Sequence, residues 1–215
     1  MGVPDSTNGE VFHEWAKLPI PREQFAHESP EQMQLYYPNC EPLPGAEKLL
    51  TNLRRARCAS SGDRIELALA SSTKSHSYKL QISKPGTKRL LDFFRLTDGF
   101  WVKTREYDRA EGSQHLTYSG TKAIMPNECL VFEDSVARVE AGRRAGMRVV
   151  WVPHAGVAVE YQARQKDVLA GRTGMIEIGD DWQLGDIDDG WAESIPSLEH
   201  FNYETYGFEL KTVSS

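Results

Sequence analysis

The stretch Cys129-Leu-Val-Phe-Glu-Asp-Ser-Val-Ala-Arg-Val-Glu-Ala-Gly-Arg-Arg-Ala-Gly-Met-Arg-Val-Val-Trp-Val-Pro153 decides the fold class. It opens with four apolar residues, Cys129 to Phe132, long enough for a short buried strand. The run stops at Glu133-Asp134-Ser135, polar residues suited to a strand end and to a helix N-cap. Val136, Val139 and Ala145 then fall on one side of a helix. Arg143 and Arg144 lie in its last turn, where cations complement the helix dipole, and Gly146 is a natural stop. Met147 to Val152 forms a second apolar run, closed by Pro153. Strand, helix and strand in about 25 residues make a βαβ unit, so the two strands are expected to be parallel with a right-handed crossover. The fold class is therefore α/β.

The same reading extends toward the N-terminus. Pro42-Leu43-Pro44-Gly45 is a sharp entry, and Ala46, Leu49, Leu50 and Leu53 recur at helical spacing after it. A helix over about 45–57 follows. Ile65 to Ala70 reads as another buried strand, ending at Ser71-Ser72-Thr73. Earlier still, short helices are expected over Glu10–Lys17 and Arg22–Tyr36, separated by Leu18-Pro19-Ile20-Pro21, whose prolines end the first. Tyr78 to Phe94 suggests one or two helices interrupted near Pro85-Gly86. Residues 97–122 lack periodicity and read as a divergent loop with the composition of a disordered segment. The tail carries a helix near 158–170 and then an acidic, aromatic and irregular stretch.

Composition narrows the classes of function. The 215 residues hold 25 Lys and Arg against 31 Asp and Glu, a net charge of −6. That balance argues against general binding to nucleic acid or membrane surfaces, which need basic patches. Three separated cysteines, Cys40, Cys58 and Cys129, make neither a disulfide framework nor a zinc motif, and a reducing compartment suits them. No apolar run reaches the length of a membrane span and the N-terminus has no secretory pattern, so a cytoplasmic monomer is the expectation. The six histidines show no metal-ligand spacing, although His154 sits near a strand end. The acidic run ending at Asp189 misses the register of a calcium loop and is expected to be solvated. G-x-G-x-x-G and the P-loop motif are absent, which argues against a Rossmann or P-loop nucleotide binder.

In open α/β sheets ligands bind beyond the carboxyl ends of the strands. Two such ends are polar here: Ser71-Ser72 and Glu133-Asp134. Adjacent carboxylates at a strand end are costly unless solvated or paired. A hard cation such as Mg2+ pairs them while keeping waters and a phosphate oxygen. Hydroxyls and loop amides near Ser71 and Ser72 suit the same phosphate. The competing reading of Glu133-Asp134-Ser135 is a helix cap and nothing more.

These blocks, LPGAEKLLTNLRRA, IELALASST and CLVFEDSVARVEAGRRAGMRVVWVPH, resemble the haloacid dehalogenase superfamily in order, spacing and type. The nearest likeness is to its pseudouridine-5′-phosphatase and sugar-phosphatase branch, over about residues 10–95 and 125–210. The resemblance implies a Rossmann-like parallel sheet over 42–215, with 1–41 a remnant of a small helical cap. It implies Mg2+ and hydrolysis of small phosphomonoesters, with Ser71 on the phosphoryl group and Glu133 and Asp134 on the metal. It also exposes two departures. The family's Asp-x-Asp, which supplies nucleophile and general acid after the first, central strand, has no match; Asp5 follows no apolar strand. The family's lysine motif is also missing, since neither Lys103 nor Lys122 has its setting and Lys84-Pro85-Gly86 comes too early. No catalytic residue is therefore assigned. The chain is expected to begin where a full-length member is already under way, to lack the central strand, and to be inactive or incomplete as it stands. The alternative is a non-catalytic relative that binds Mg2+ or a phosphorylated ligand.

Overall fold

Leu130 to Trp151 folds as the pattern requires. The computed structural model describes residues 13–14, 16–36, 39–70, 79–80, 82–95, 124–176 and 181–210. Their helices and strands, in chain order, are α1 (Arg22–Tyr36), α2 (Ala46–Arg55), β1 (Arg57–Cys58), α3 (Pro85–Arg95), β2 (Leu130–Glu133), α4 (Val136–Arg144), β3 (Arg148–Trp151), α5 (Ala155–Glu160), α6 (Gln165–Ala170), β4 (Ala192–Ser194) and β5 (Phe208–Glu209). The mixed α/β class is observed. The chain divides into two compact units, one of residues 1–22 and 124–196, the other of 23–123 and 197–215.

The first unit is built on a parallel three-stranded sheet in the order β2-β3-β4. Leu130 pairs with Arg148 and Glu133 with Trp151, while Val149 pairs with Ala192 and Trp151 with Ser194. Central β3 is covered on both faces, so its apolar run is continuous rather than alternating. Val149 and Val150 are fully buried and Trp151 is nearly so. Helix α4 covers one face. Val136 and Val139 point inward as expected, but Ala145 is exposed, and Ala137, Glu140, Gly142 and Arg143 are buried instead. The helix also packs on α6, so its buried surface is wider than one stripe. Its end is a Schellman motif. The Gly146 amide donates to Arg143 O at 2.9 Å and the Met147 amide to Gly142 O at 3.0 Å, with Gly146 left-handed at φ 75°.

The second unit centres on α2. Leu49 and Leu53 are buried, and Glu47 pairs with Arg89 of α3 at 2.9 Å. The chain enters α2 at Gly45, left-handed with φ 83°. A Cβ there would lie 2.6 Å from the Glu199 amide nitrogen, so only glycine fits. The C-terminal segment returns to this helix: Asn52 donates to the Tyr203 hydroxyl at 3.1 Å, and β5 pairs antiparallel with β1. Phe201, Tyr203, Tyr206 and Phe208 form an aromatic cluster, with Phe201 and Tyr203 edge to face at 4.9 Å.

Several expectations need correction. Ile65 to Ala70 alternates between half-buried and exposed, yet it belongs to no strand. The nearest pairing is one antiparallel bridge between Arg57 and Arg64. A short apolar segment becomes a strand only when a neighbouring strand pairs with it in register, and this one belongs to neither described sheet. The interruption expected near Pro85-Gly86, by contrast, is observed: residues 79–80 are helical, 82–84 are not, and Pro85 opens α3, since the first helical position needs no amide hydrogen. The helix expected near 158–170 is two helices, α5 and α6, separated by Tyr161 and a 3-10 turn over Gln162–Arg164. The tail is less irregular than expected, since it supplies β4 and β5. The loop at 97–122 and both Ser71 and Ser72 lie outside the described residues.

Candidate functional site

Glu133 is the last residue of β2 rather than the first of the loop, and Asp134 is the first residue beyond the strand. Side chains alternate along a strand, so Glu133 shares a face with Val131, the face that α4 covers. Arg138 of α4 consequently meets the Glu133 carboxylate at 3.7 Å. Asp134 is held in place from below, because its carbonyl oxygen accepts the indole N–H of Trp151 at 3.1 Å. Ser135 is the N-cap of α4, and its carbonyl accepts the Val139 amide at 2.9 Å. Burial pushes the Glu133 carboxyl above its usual range; Arg138 counters this and the neighbouring Asp134 adds to it. A raised carboxyl pKa means this group favours the folded state at acid pH, and the advantage is lost as pH rises through the folded value.

A cleft of about 300 Å³ opens beside this strand end, lined by Asp134, Ser135, Val136, His154, Gly156, Val157, Glu160, Tyr161 and Met175. Helix α5 presents His154, Val157 and Tyr161 to it at spacings of three and four residues. His154 caps that helix, its Nδ1 accepting the Gly156 amide at 3.2 Å. This bond leaves the other ring nitrogen as the proton carrier in the neutral form. The Tyr161 hydroxyl reaches the Met175 sulfur at 4.0 Å across the far wall. Among the described residues no three His, Cys, Asp or Glu side chains are arranged to hold a metal. Carboxylates are the type of donor that Mg2+ takes, but of these two acids only Asp134 lines the cleft, and Glu133 lies on the α4 face against Arg138.

Other sequence candidates find structural partners. Lys84 pairs with Glu41. The acidic run is clasped rather than merely solvated: Arg143, itself buried, pairs with Asp189, Lys166 meets Asp188 at 2.5 Å and Arg172 meets Asp186 at 3.3 Å. Asp189 also accepts the Trp191 amide at 2.9 Å. The one Asp-x-Asp of the chain, Asp186 to Asp188, thus belongs to an ion-paired loop. Sequence reasoning missed Glu140, a carboxylate with no solvent exposure. Its only signal was a charged residue at a position three and four residues from buried Arg143, Arg144 and Val136 on the same helix.

No protein-family model matches the chain. Among curated proteins, an uncharacterized protein of Schizosaccharomyces pombe is 27% identical over 96% of this chain and 77% of its own length. A probable pseudouridine-5′-phosphatase of Saccharomyces cerevisiae is 28% identical over 72% of this chain and 65% of its own length. One of Drosophila melanogaster with the same name is 26% identical, over 79% of this chain and 71% of its own length. The resemblance to the pseudouridine-5′-phosphatase branch of haloacid-dehalogenase-type phosphatases is borne out, at low identity. No helix among the described residues is long and apolar enough to cross a membrane.

Proposed function

We propose that this chain carries the metal- and phosphate-holding part of a hydrolase of small phosphomonoesters, a sugar or nucleoside monophosphate. The observation that carries the proposal is Asp134, which follows Glu133 at the C-terminal end of a parallel strand and lines a cleft there. The phosphatase names of the similar proteins support the same reading. In this reading Glu133 and Asp134 hold Mg2+, and Ser71 and Ser72 hydrogen-bond the phosphoryl oxygens. Bound Mg2+ would neutralise and orient the phosphoryl group. Arg138 keeps Glu133 oriented, and Trp151 fixes the backbone that presents Asp134. Residues 1–41 are a remnant of a helical cap, and the protein works as a cytoplasmic monomer.

The acids available at the strand ends are the pair that the metal needs. Strand β3 ends in Trp151-Val152-Pro153 and β4 in Ser194-Ile195, neither of which offers a nucleophile of the aspartate type. Phosphate release by the purified chain over a panel of sugar and nucleoside monophosphates with Mg2+, beside Asp134→Asn, tests the proposal. The expected outcome is no turnover above that control, together with calorimetric Mg2+ or Mn2+ binding that Asp134→Asn removes. Turnover that Asp134→Asn abolishes would place a nucleophile within this chain. Metal binding unchanged by Asp134→Asn would sink the assignment of the carboxylate pair.

A further inference from the structure

We infer that the buried Glu140 is a positioning residue for the cleft: by tethering the segment 173–175 to α4 it fixes Met175 as the wall facing Asp134, and so sets the size of the organic group admitted beside the metal. This rests on the proposed metal site at Glu133 and Asp134. Glu140 lies in the middle of α4, has no exposed surface, and is far too costly to bury for packing alone. Its Oε2 accepts the Thr173 amide at 3.2 Å, the Met175 amide at 3.3 Å and the Thr173 hydroxyl. Its Oε1 accepts from Arg144 Nε at 3.2 Å.

One carboxylate oxygen thus gathers three donors from a segment that otherwise belongs to no helix or strand. Such a segment has only its own tethers to fix its place. The third of these residues, Met175, lines the cleft that Asp134 also lines. It is partly exposed at 37%, and the Tyr161 hydroxyl leans on its sulfur. An unbranched thioether adapts its shape easily, so a methionine wall defines a size only if its backbone is pinned. Glu140 supplies that pin through the Met175 amide itself. The ion pair with Arg144 does not reach the cleft, so the two oxygens of Glu140 have separable roles.

The test follows the Met175 methyl group in the full chain by NMR, with methyl-labelled methionine. In the wild type, a nuclear Overhauser contact should join the Met175 methyl to the Tyr161 ring. Mn2+ added as the metal probe should broaden that methyl together with the amides of Asp134 and Val136. Glu140→Gln retains an acceptor for the tethers and should keep both signals. Arg144→Ala leaves the tethers intact and should keep both, even where the protein is destabilised. Glu140→Ala should lose the contact with Tyr161 and shrink the Mn2+ broadening of Met175 severalfold while the Val136 amide stays broadened. If Glu140→Ala does not fold, Thr173→Val, which removes the hydroxyl donor alone, should change both signals in the same direction and less.

Retention of the Tyr161 contact in Glu140→Ala, or in Thr173→Val where that variant stands in, would overturn the inference. So would its loss in Arg144→Ala, which would make Glu140 a charge partner and nothing more. Mn2+ that broadens neither Asp134 nor Val136 would overturn the metal reading instead, leaving the contact with Tyr161 to decide the tether.

Discussion

The two units solve the same problem with opposite kinds of contact. In the unit of 1–22 and 124–196, the core assembles from neighbours in sequence: β2, α4 and β3 are consecutive and pack on one another. In the unit of 23–123 and 197–215, α2 and β1 are completed by residues about 150 positions away, through Asn52 with Tyr203 and Arg57 with Glu209. Contiguous elements show themselves as a pattern in the sequence. Distant closures leave only unexplained aromatic residues, and the left-handed glycines that permit them.

The largest test of this contrast is Trp151→Ala. Trp151 joins Val136, Val139, Val149 and Val168 in the core and also holds the Asp134 carbonyl. Truncating a buried aromatic costs about 3–5 kcal/mol. Denaturant unfolding should show a loss of that order. Hydrogen exchange should show protection falling over 130–152 more than over 46–55. Equal loss in both stretches would mean one cooperative unit, and the contrast would not extend to stability.

Legibility in the sequence followed the same division. The helix–stop–strand grammar of Val136 to Trp151 was readable because Gly146, the two arginines and the valines all pointed to one answer. Arg22–Tyr36 was readable from the prolines that precede it, and the start of α2 from Pro44-Gly45 and the leucines at helical spacing after it. Ile65 to Ala70 was misread because a short apolar run carries no information about whether a partner strand exists. Strand β4 was missed because Ala192-Glu193-Ser194 has no apolar pattern; its place is set by pairing with buried β3. At the site, the adjacency of Glu133 and Asp134 was visible. The cleft was not, since His154, Tyr161 and Met175 converge only after α5 and the Glu140 tether are in place.

A smaller effect sharpens the long-range side of the contrast. Gly45 and Gly62 both adopt positive φ, 83° and 73°, but only Gly45 faces a returning segment, at the Glu199 backbone. Gly62→Ala should lose about 1–2 kcal/mol from the left-handed conformation alone. Gly45→Ala adds a clash with backbone that cannot swing aside, and should lose at least about 1 kcal/mol more. Thermal unfolding of the two variants measures the difference. Equal losses would mean that the C-terminal segment yields freely at this point, and that the closure on α2 is loose.

The smallest effect leaves stability aside and compares one thiol from each unit. Cys58 lies at the β1 turn, with its sulfur 3.2 Å from the Ser60 hydroxyl. That hydroxyl, followed by the Ser61 amide, pulls the thiol down to about 7. Burial first, and then Glu128, push the Cys129 thiol up from its ordinary value. The thiolate is the nucleophile, so near neutral pH Cys58 holds about half its population in the reactive form and Cys129 far less. A low-pKa thiolate is also intrinsically a weaker nucleophile, which offsets part of that difference without reversing it. Iodoacetamide labelling with peptide mapping should therefore show Cys58 reacting faster than Cys129 at pH 7. The Cys58 rate should level off above that pH while the Cys129 rate keeps climbing. Ser60→Ala should move the Cys58 profile upward in pH and narrow the gap. A profile unmoved by Ser60→Ala would mean that the turn does not hold the hydroxyl against the sulfur, and that the local geometry of β1 owes less to its serines than to its pairing with β5.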